Sequence, residues 1–311
     1  MVLGIFTGES SDCSEWVAAL HEHLPELEVR IFPGWEPCEE IDYALVWNAP
    51  ANLLARCQNL KAIISFGAGV EHITDIRSSL PRGVPIIRMA DQALIDCMTE
   101  YVIMNVLLHH RSMLNYREQQ DRRQWKDQPA VLARDRRIGF MGLGNMALPA
   151  ARLLAGMGFD VAAWVRSERS EDGIATYIGQ NSFPAFLGRT DILVCLLPST
   201  VETEGLLNAD MFKLMPPGAA VINAGRGTLI NESDLIAALD SKQLSGVSLD
   251  VFRQEPLPAD SPLWSHPRVL ITPHTASPTT VEDAAKYVAD VIGKLRKGEI
   301  PEHIVDMKHG Y

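Results

Sequence analysis

Short apolar runs alternate with amphipathic stretches along almost the whole chain. Four to six apolar residues in a row read as strands covered on both faces, and the longer stretches between them read as covering helices. In the first third, strands are predicted at 2–6, 43–47, 61–65 and 85–88, with helices at 13–23 and 51–58. A long helix is predicted over 100–117. The segment 118–135 is rich in charge, Gln and Trp, and reads as an exposed connection with Trp125 as a candidate subunit contact. A second series follows, with strands at 137–141, 160–165, 191–196, 219–223, 246–251 and 268–272 and helices at 146–157, 209–214 and 231–239. A last helix over 279–297 is expected to return the chain to the first domain. The pattern predicts an α/β protein of two parallel-sheet domains, the first of them discontinuous.

The 311 residues suit two domains rather than one. Twenty-eight basic against 39 acidic side chains leave a net charge of −11. A backbone-phosphate binder needs a basic face, so nucleic acid is not expected as a partner. Five scattered cysteines, with no Cys-x-x-Cys pair, point neither to a metal site nor to a disulfide framework. They fit a reducing compartment, and a cytoplasmic protein is expected. Cys195, inside the apolar run 191–197, reads as core filler. No apolar run reaches membrane-spanning length, and residues 1–6 read as a strand rather than a secretion signal.

Positioned chemistry begins at the strand 137–141, which runs directly into Gly142-x-Gly144-x-x-Ala147 and then a helix pattern. That context makes the glycines a dinucleotide fingerprint. Gly142 permits the sharp turn, Gly144 lets a pyrophosphate approach the backbone, and Ala147 allows close helix–strand packing. The N–H groups of Asn145 and Met146, at the helix start, would face the phosphates. The next strand ends at Arg166 and Ser167, with Arg169 near, about twenty residues on, where an NAD enzyme places an acidic residue for the ribose hydroxyl. An arginine there pairs with a 2′-phosphate, so NADP is predicted over NAD. Glu168 would weaken or reverse that preference if its side chain turned inward.

Three more strand ends carry polar groups. Arg226 follows the strand 219–223, and its planar fork suits a carboxylate and the neighbouring keto oxygen. His274 follows the last strand and suits proton transfer to a substrate oxygen. Glu255 is assigned to the histidine's far nitrogen, where it would fix the tautomer. Asp250 either meets the nicotinamide carboxamide or closes its turn. The expected chemistry is hydride transfer to a small 2-oxo acid, which needs no metal. His21, His23, His109 and His110 show no metal-ligand spacing.

These motifs resemble the D-isomer-specific 2-hydroxyacid dehydrogenases, and within them the glyoxylate/hydroxypyruvate reductase A type. The stretches 65–73, 142–147, 223–227, 249–258, 261–269 and 272–276 carry the resemblance, together with the ending Gly310-Tyr311. It implies a Rossmann dinucleotide-binding domain at 100–276, inserted in a discontinuous flavodoxin-like substrate domain formed by 1–99 and 277–311. It further implies that backbone N–H groups of Ala68 and Gly69 meet the substrate carboxylate, that Trp47 lines the pocket, and that Leu197 and Pro198 cover the cofactor, alongside contacts from Ala224 and Gly225. The implied activity is NADPH-dependent reduction of glyoxylate or hydroxypyruvate by a homodimer. Three positions depart from the family pattern: Asn145 replaces a common arginine, Glu71 a common aspartate and Gly225 a frequent alanine. The rival readings are a dehydrogenase for a bulkier 2-oxo acid and a nucleotide-sensing binding protein like the C-terminal-binding-protein corepressors. The short ends of the chain count against the second, and Glu255, where formate enzymes have Gln, counts against a formate substrate.

Overall fold

A computed structural model of the chain describes residues 1–8 and 13–307, so the ending Gly310-Tyr311 lies outside the described residues. The chain divides into two compact units, Met1–Leu94 with Pro278–Tyr311, and Ile95–Ser277.

Among the described residues the first unit holds five parallel strands: β1 Val2–Phe6, β2 Glu28–Ile31, β3 Tyr43–Val46, β4 Ala62–Ser65 and β5 Ile86–Ile87. Their order is β2-β1-β3-β4-β5, a flavodoxin-like sequence of strands. β1, β3 and β4 are buried along their whole length, which explains their unbroken apolar sequences. β2 escaped the sequence reading. It is a sheet edge with charged Glu28 and Arg30, and it pairs with β1 alone, so it has no apolar run to betray it. The amphipathic helix Val281–Arg296 packs against the helix Ser14–His23, burying Ala285, Val288 and Ile292.

The second unit holds seven parallel strands, one more than expected: β6 Arg137–Met141, β7 Asp160–Val165, β8 Ile174–Ile178, β9 Ile192–Cys195, β10 Ala219–Asn223, β11 Leu244–Leu249 and β12 Val269–Ile271. Their order is β12-β11-β10-β9-β6-β7-β8. The extra strand β8 is again an edge, largely uncovered, with polar Thr176 in its middle. The sheet divides two cores by residue parity. Met141, Leu193, Cys195 and Val221 face one side, while Phe140, Ile192, Val194 and Ile222 face the other. Cys195 is fully buried, and burial pushes its thiol upward, so it packs as filler. Strand order reverses between β6 and β9, whose neighbours diverge in opposite directions, and such a switch point opens a crevice at the carboxyl ends of strands.

The helix expected over 100–117 differs from the structure in both position and continuity. One helix spans Gln92–His110 and another Met113–Asp121. The first starts early because Asp91 caps it, accepting the Leu94 N–H at 3.0 Å. It stops where Ser112 adopts φ 55°, a left-handed turn made without glycine or proline and therefore unmarked in the sequence. The segment after Met113–Asp121 is exposed, Trp125 most of all. Among the described residues no helix is long and apolar enough to cross a membrane.

His109, in the last turn of Gln92–His110, lies 2.9 Å from Ser248 Oγ on β11, two residues before Asp250. Burial pushes this imidazole down to about 4, against an ordinary 6.5. Below pH 6.5 the unfolded chain therefore takes up a proton that the native ring refuses. Stability from this group is whole near pH 7, falls as pH drops below 6.5, and levels off near 4. His109→Gln keeps a hydrogen-bonding group without the titration. It is expected to shrink the loss of unfolding free energy between pH 7 and pH 5 by ~1–2 kcal/mol. Urea unfolding at the two pH values checks this, and an unchanged loss would refute it.

Candidate active site

Because all seven strands of the second unit run parallel, every strand exit lies along one edge of the sheet. That edge receives Gly142 after β6, Arg166 after β7, Leu197 after β9, Arg226 after β10, Asp250 and Glu255 after β11, and His274 after β12.

The turn after β6 has the shape a pyrophosphate needs. Gly142 takes φ +87°, and a β-carbon there would also stand 2.9 Å from Leu197 Cδ2. A β-carbon on Gly144 would meet nothing within 4 Å, so its backbone is open to a ligand. Asn145 and Met146 carry the chain to Ala147, which is buried, and the helix Leu148–Gly156 follows, two residues later than expected. Arg166 and Ser167 are exposed at the end of β7, and Glu168 beside them is exposed too. A cation at the adenosine end and an open glycine turn together fit a phosphorylated dinucleotide.

Leu197 and Pro198 are half-buried where β9 ends. Leu197 packs close to two glycines, since a β-carbon on Gly225 would lie 2.7 Å from its carbonyl oxygen. Ala224 is buried, its N–H bonded to the Cys195 carbonyl at 3.2 Å. The fully buried Asn223 braces the same turn. Its amide donates to the Arg226 carbonyl at 2.9 Å and its oxygen accepts from the Gly225 N–H at 3.2 Å. Arg226 directs Nη1 to the Gly225 carbonyl at 2.6 Å. Gly227 then presses on the next loop so tightly that a β-carbon would fall 1.9 Å from the Phe252 carbonyl carbon.

Glu255 and His274 meet. Nδ1 of His274 lies 2.6 Å from Oε2 of Glu255, and the ring is 49% exposed. A carboxylate only accepts, so the shared proton sits on Nδ1 and leaves Nε2 for another partner. The other carboxylate oxygen of Glu255 accepts the Phe252 N–H at 2.9 Å, which fixes its orientation. His274 has φ 54°, a left-handed conformation that costs ~1–3 kcal/mol outside glycine. Asp250 holds it there. Its carbonyl accepts the His274 N–H at 2.8 Å. Its carboxylate accepts Thr272 Oγ1 at 2.6 Å and the N–H groups of Thr275 and Ala276 at 2.9 Å each. Tyr101 extends the chain through a 2.9 Å contact with Thr272 Oγ1. Asp250 is only 1% exposed. Of the two roles considered for it, closing the turn is the one its hydrogen bonds serve.

The first unit carries the other expected contacts. Trp47 follows β3 and is partly exposed, its ring 4.5 Å from that of His72. Gly67 admits it closely, since a β-carbon there would lie 3.2 Å from Trp47. Ala68 and Gly69 are half-buried in the loop after β4, where Ser65 Oγ donates to the Gly69 carbonyl at 2.6 Å.

Asn223, Asp250 and Tyr101 shape this edge, and sequence reasoning gave that part to Asp250 alone, as one of two alternatives. Asn223 and Asp250 had a signal, a polar residue inside or closing an apolar strand. Tyr101 had none, because it reaches Thr272 from a distant helix.

A parallel sheet of this order, with a glycine turn at its switch point and a carboxylate-held histidine at its carboxyl edge, defines a nucleotide-dependent oxidoreductase class. The family described as D-isomer specific 2-hydroxyacid dehydrogenase, NAD binding domain, matches residues 103–276. Glyoxylate/hydroxypyruvate reductase A of Salmonella paratyphi B is 38% identical over 313 residues, covering 99% of each chain. Two solved structures also resemble the chain over 99% of both lengths. One is a D-isomer specific 2-hydroxyacid dehydrogenase from Xanthobacter autotrophicus Py2 in complex with NADPH and MES, at 37% identity and a TM-score of 0.94. The other is the NADPH-dependent glyoxylate/hydroxypyruvate reductase of Sinorhizobium meliloti in complex with NADP and sulfate, at 38% and 0.90. The chain belongs to the D-isomer specific 2-hydroxyacid dehydrogenase family.

Proposed function

We propose that the protein reduces small 2-oxo acids, glyoxylate and hydroxypyruvate, to 2-hydroxy acids with NADPH. The contact between His274 Nδ1 and Glu255 Oε2 carries the proposal, because it leaves a proton-bearing imidazole at a nucleotide-type sheet edge. Relatives that share the whole length of the chain and are solved with NADP or NADPH support the cofactor. The bound nicotinamide supplies the hydride.

The residues do the rest. Gly142, Gly144, Asn145 and Met146 would present the turn to the pyrophosphate, and Arg166 with Ser167 would hold the 2′-phosphate. Leu197, Pro198, Ala224 and Gly225 would hold the nicotinamide side. Arg226 binds the substrate carboxylate and steadies charge on the carbonyl oxygen as C2 accepts the hydride. His274 gives that oxygen its proton from Nε2, and Glu255 keeps the ring upright and stabilises the imidazolium. Asp250 contributes by holding the His274 turn. Ala68, Gly69 and Trp47, as substrate contacts, belong to the same proposal. So do a homodimer, supported by the exposed Met113, Trp125 and Leu132, and a cytoplasmic location, supported by five cysteines that form no disulfide.

A panel of glyoxylate, hydroxypyruvate and a bulkier 2-oxo acid, run with NADPH and with NADH, tests the reading. The expected result is turnover of the two small acids with kcat/KM at least about tenfold higher for NADPH, the value of one charge-assisted contact. A clear NADH preference would overturn the Arg166 assignment. Preference for the bulky acid would point to a different dehydrogenase, and no turnover at all to a nucleotide-binding protein.

A further inference from the structure

The loop between β7 and β8 contains a second arginine that does not act as its position suggests. Arg169 lies three residues past Arg166, in reach of the same adenosine end. Its guanidinium turns back instead. Nη1 donates to the Leu143 carbonyl, inside the glycine turn, at 2.6 Å. Nε and Nη2 donate to Glu171 Oε1 at 3.1 and 2.9 Å. The other oxygen of Glu171 accepts from Arg152 Nη2 at 2.7 Å, on the helix that leaves the glycine turn. Glu171 is 13% exposed, and the guanidinium groups of Arg152 and Arg169 hold its carboxyl below the usual carboxylate range. The backbone of the loop is tied as well, with Thr176 Oγ1 donating to the Arg169 carbonyl at 3.1 Å and the Ile174 N–H to the Glu171 carbonyl at 3.1 Å.

A trans peptide points its C=O and N–H in opposite directions. The Leu143 carbonyl and the Gly144 N–H share one such plane. A cation that holds the carbonyl on one side therefore aims the Gly144 N–H to the other. Freed from Arg169, the plane could rotate and present an oxygen to the ligand's phosphates, which would repel it.

We infer that Arg169, clamped by Glu171, is a positioning residue that orients the glycine turn for the pyrophosphate of either nicotinamide dinucleotide, and is not a ligand of the 2′-phosphate. The inference deepens the proposed function and rests on its cofactor. The two roles differ in what they do to selectivity. The pyrophosphate is common to NADPH and NADH, whereas the 2′-phosphate belongs to NADPH alone.

Dissociation constants for both reduced cofactors, from fluorescence titration or calorimetry, separate the roles without any turnover. Arg169→Ala and Glu171→Ala are each expected to weaken NADPH and NADH by about tenfold and equally, leaving their ratio within about twofold of wild type. Arg169→Lys, which can still reach a carbonyl but not fork onto Glu171, should fall between. Arg166→Ala in the same series should change the ratio by weakening NADPH alone. In turnover, the effect of Arg169→Ala should fall on the cofactor KM rather than on kcat. Loss confined to NADPH in Arg169→Ala, tighter NADPH binding in Glu171→Ala as a released guanidinium finds the phosphate, or unaltered binding in both would overturn the inference. Should the wild-type protein bind neither cofactor, the reductase reading fails and takes this inference with it.

Discussion

Arg226→Ala is expected to lower kcat/KM for glyoxylate by about a thousandfold or more, the scale of losing a preorganised cation where negative charge develops. Arg226 sits on a turn with little freedom to compensate. Asn223 ties the Arg226 carbonyl and the Gly225 N–H from a fully buried position, and Gly227 abuts the Phe252 backbone. Removing the side chain should therefore leave a vacancy that no neighbouring backbone shift fills. Arg226→Lys restores the charge but not the fork, so it should recover substrate binding better than kcat. Steady-state kinetics on both variants provide the check, and wild-type rates in the alanine variant would remove Arg226 from the mechanism.

Glu255→Gln is the second large effect, and its direction follows from one hydrogen bond. Oε1 of Glu255 accepts the Phe252 N–H. A glutamine in that place keeps its oxygen on the same N–H and so turns its NH2 toward His274. Two donors cannot share Nδ1, so the ring loses the proton there and with it the doubly protonated form that the proposed reduction would consume. The expected fall in kcat is ~10²–10⁴, the usual range for general acid catalysis. Substrate KM should move little, because in the proposed mechanism Glu255 acts through the histidine and not on the acid. Thermal unfolding should remain close to wild type, since the carboxylate is one-third exposed.

How far the sequence foretold this structure depends on what each element contacts. Strands covered on both faces, such as β6, β7 and β10, advertise themselves as unbroken apolar runs, and their limits agree with the sequence reading. β2 and β8 were missed because an edge strand needs an apolar pattern on one side only. The helix Gln92–His110 was misplaced at its start, although the Asp91 cap was visible, and at its end, where Ser112 supplies a left-handed turn with no composition signal. At the candidate site, residues that stand alone after a strand, namely Arg226, Glu255 and His274, could be singled out because a charged group closing an apolar run is conspicuous. Residues whose part depends on distance could not. Tyr101 reaches Thr272 from a distant helix, and Arg169 a carbonyl 26 residues earlier in the chain. Nothing in spacing or periodicity reports where a long side chain folds back.

In the proposed reaction the His274–Glu255 pair delivers a proton to the carbonyl oxygen while the hydride arrives. Single-turnover oxidation of bound NADPH by hydroxypyruvate, compared between wild type and Glu255→Gln, isolates that step from binding and product release. The expected hydride-transfer rate is at least about a hundredfold slower in the variant at saturating substrate. Equal rates in the two proteins would contradict it.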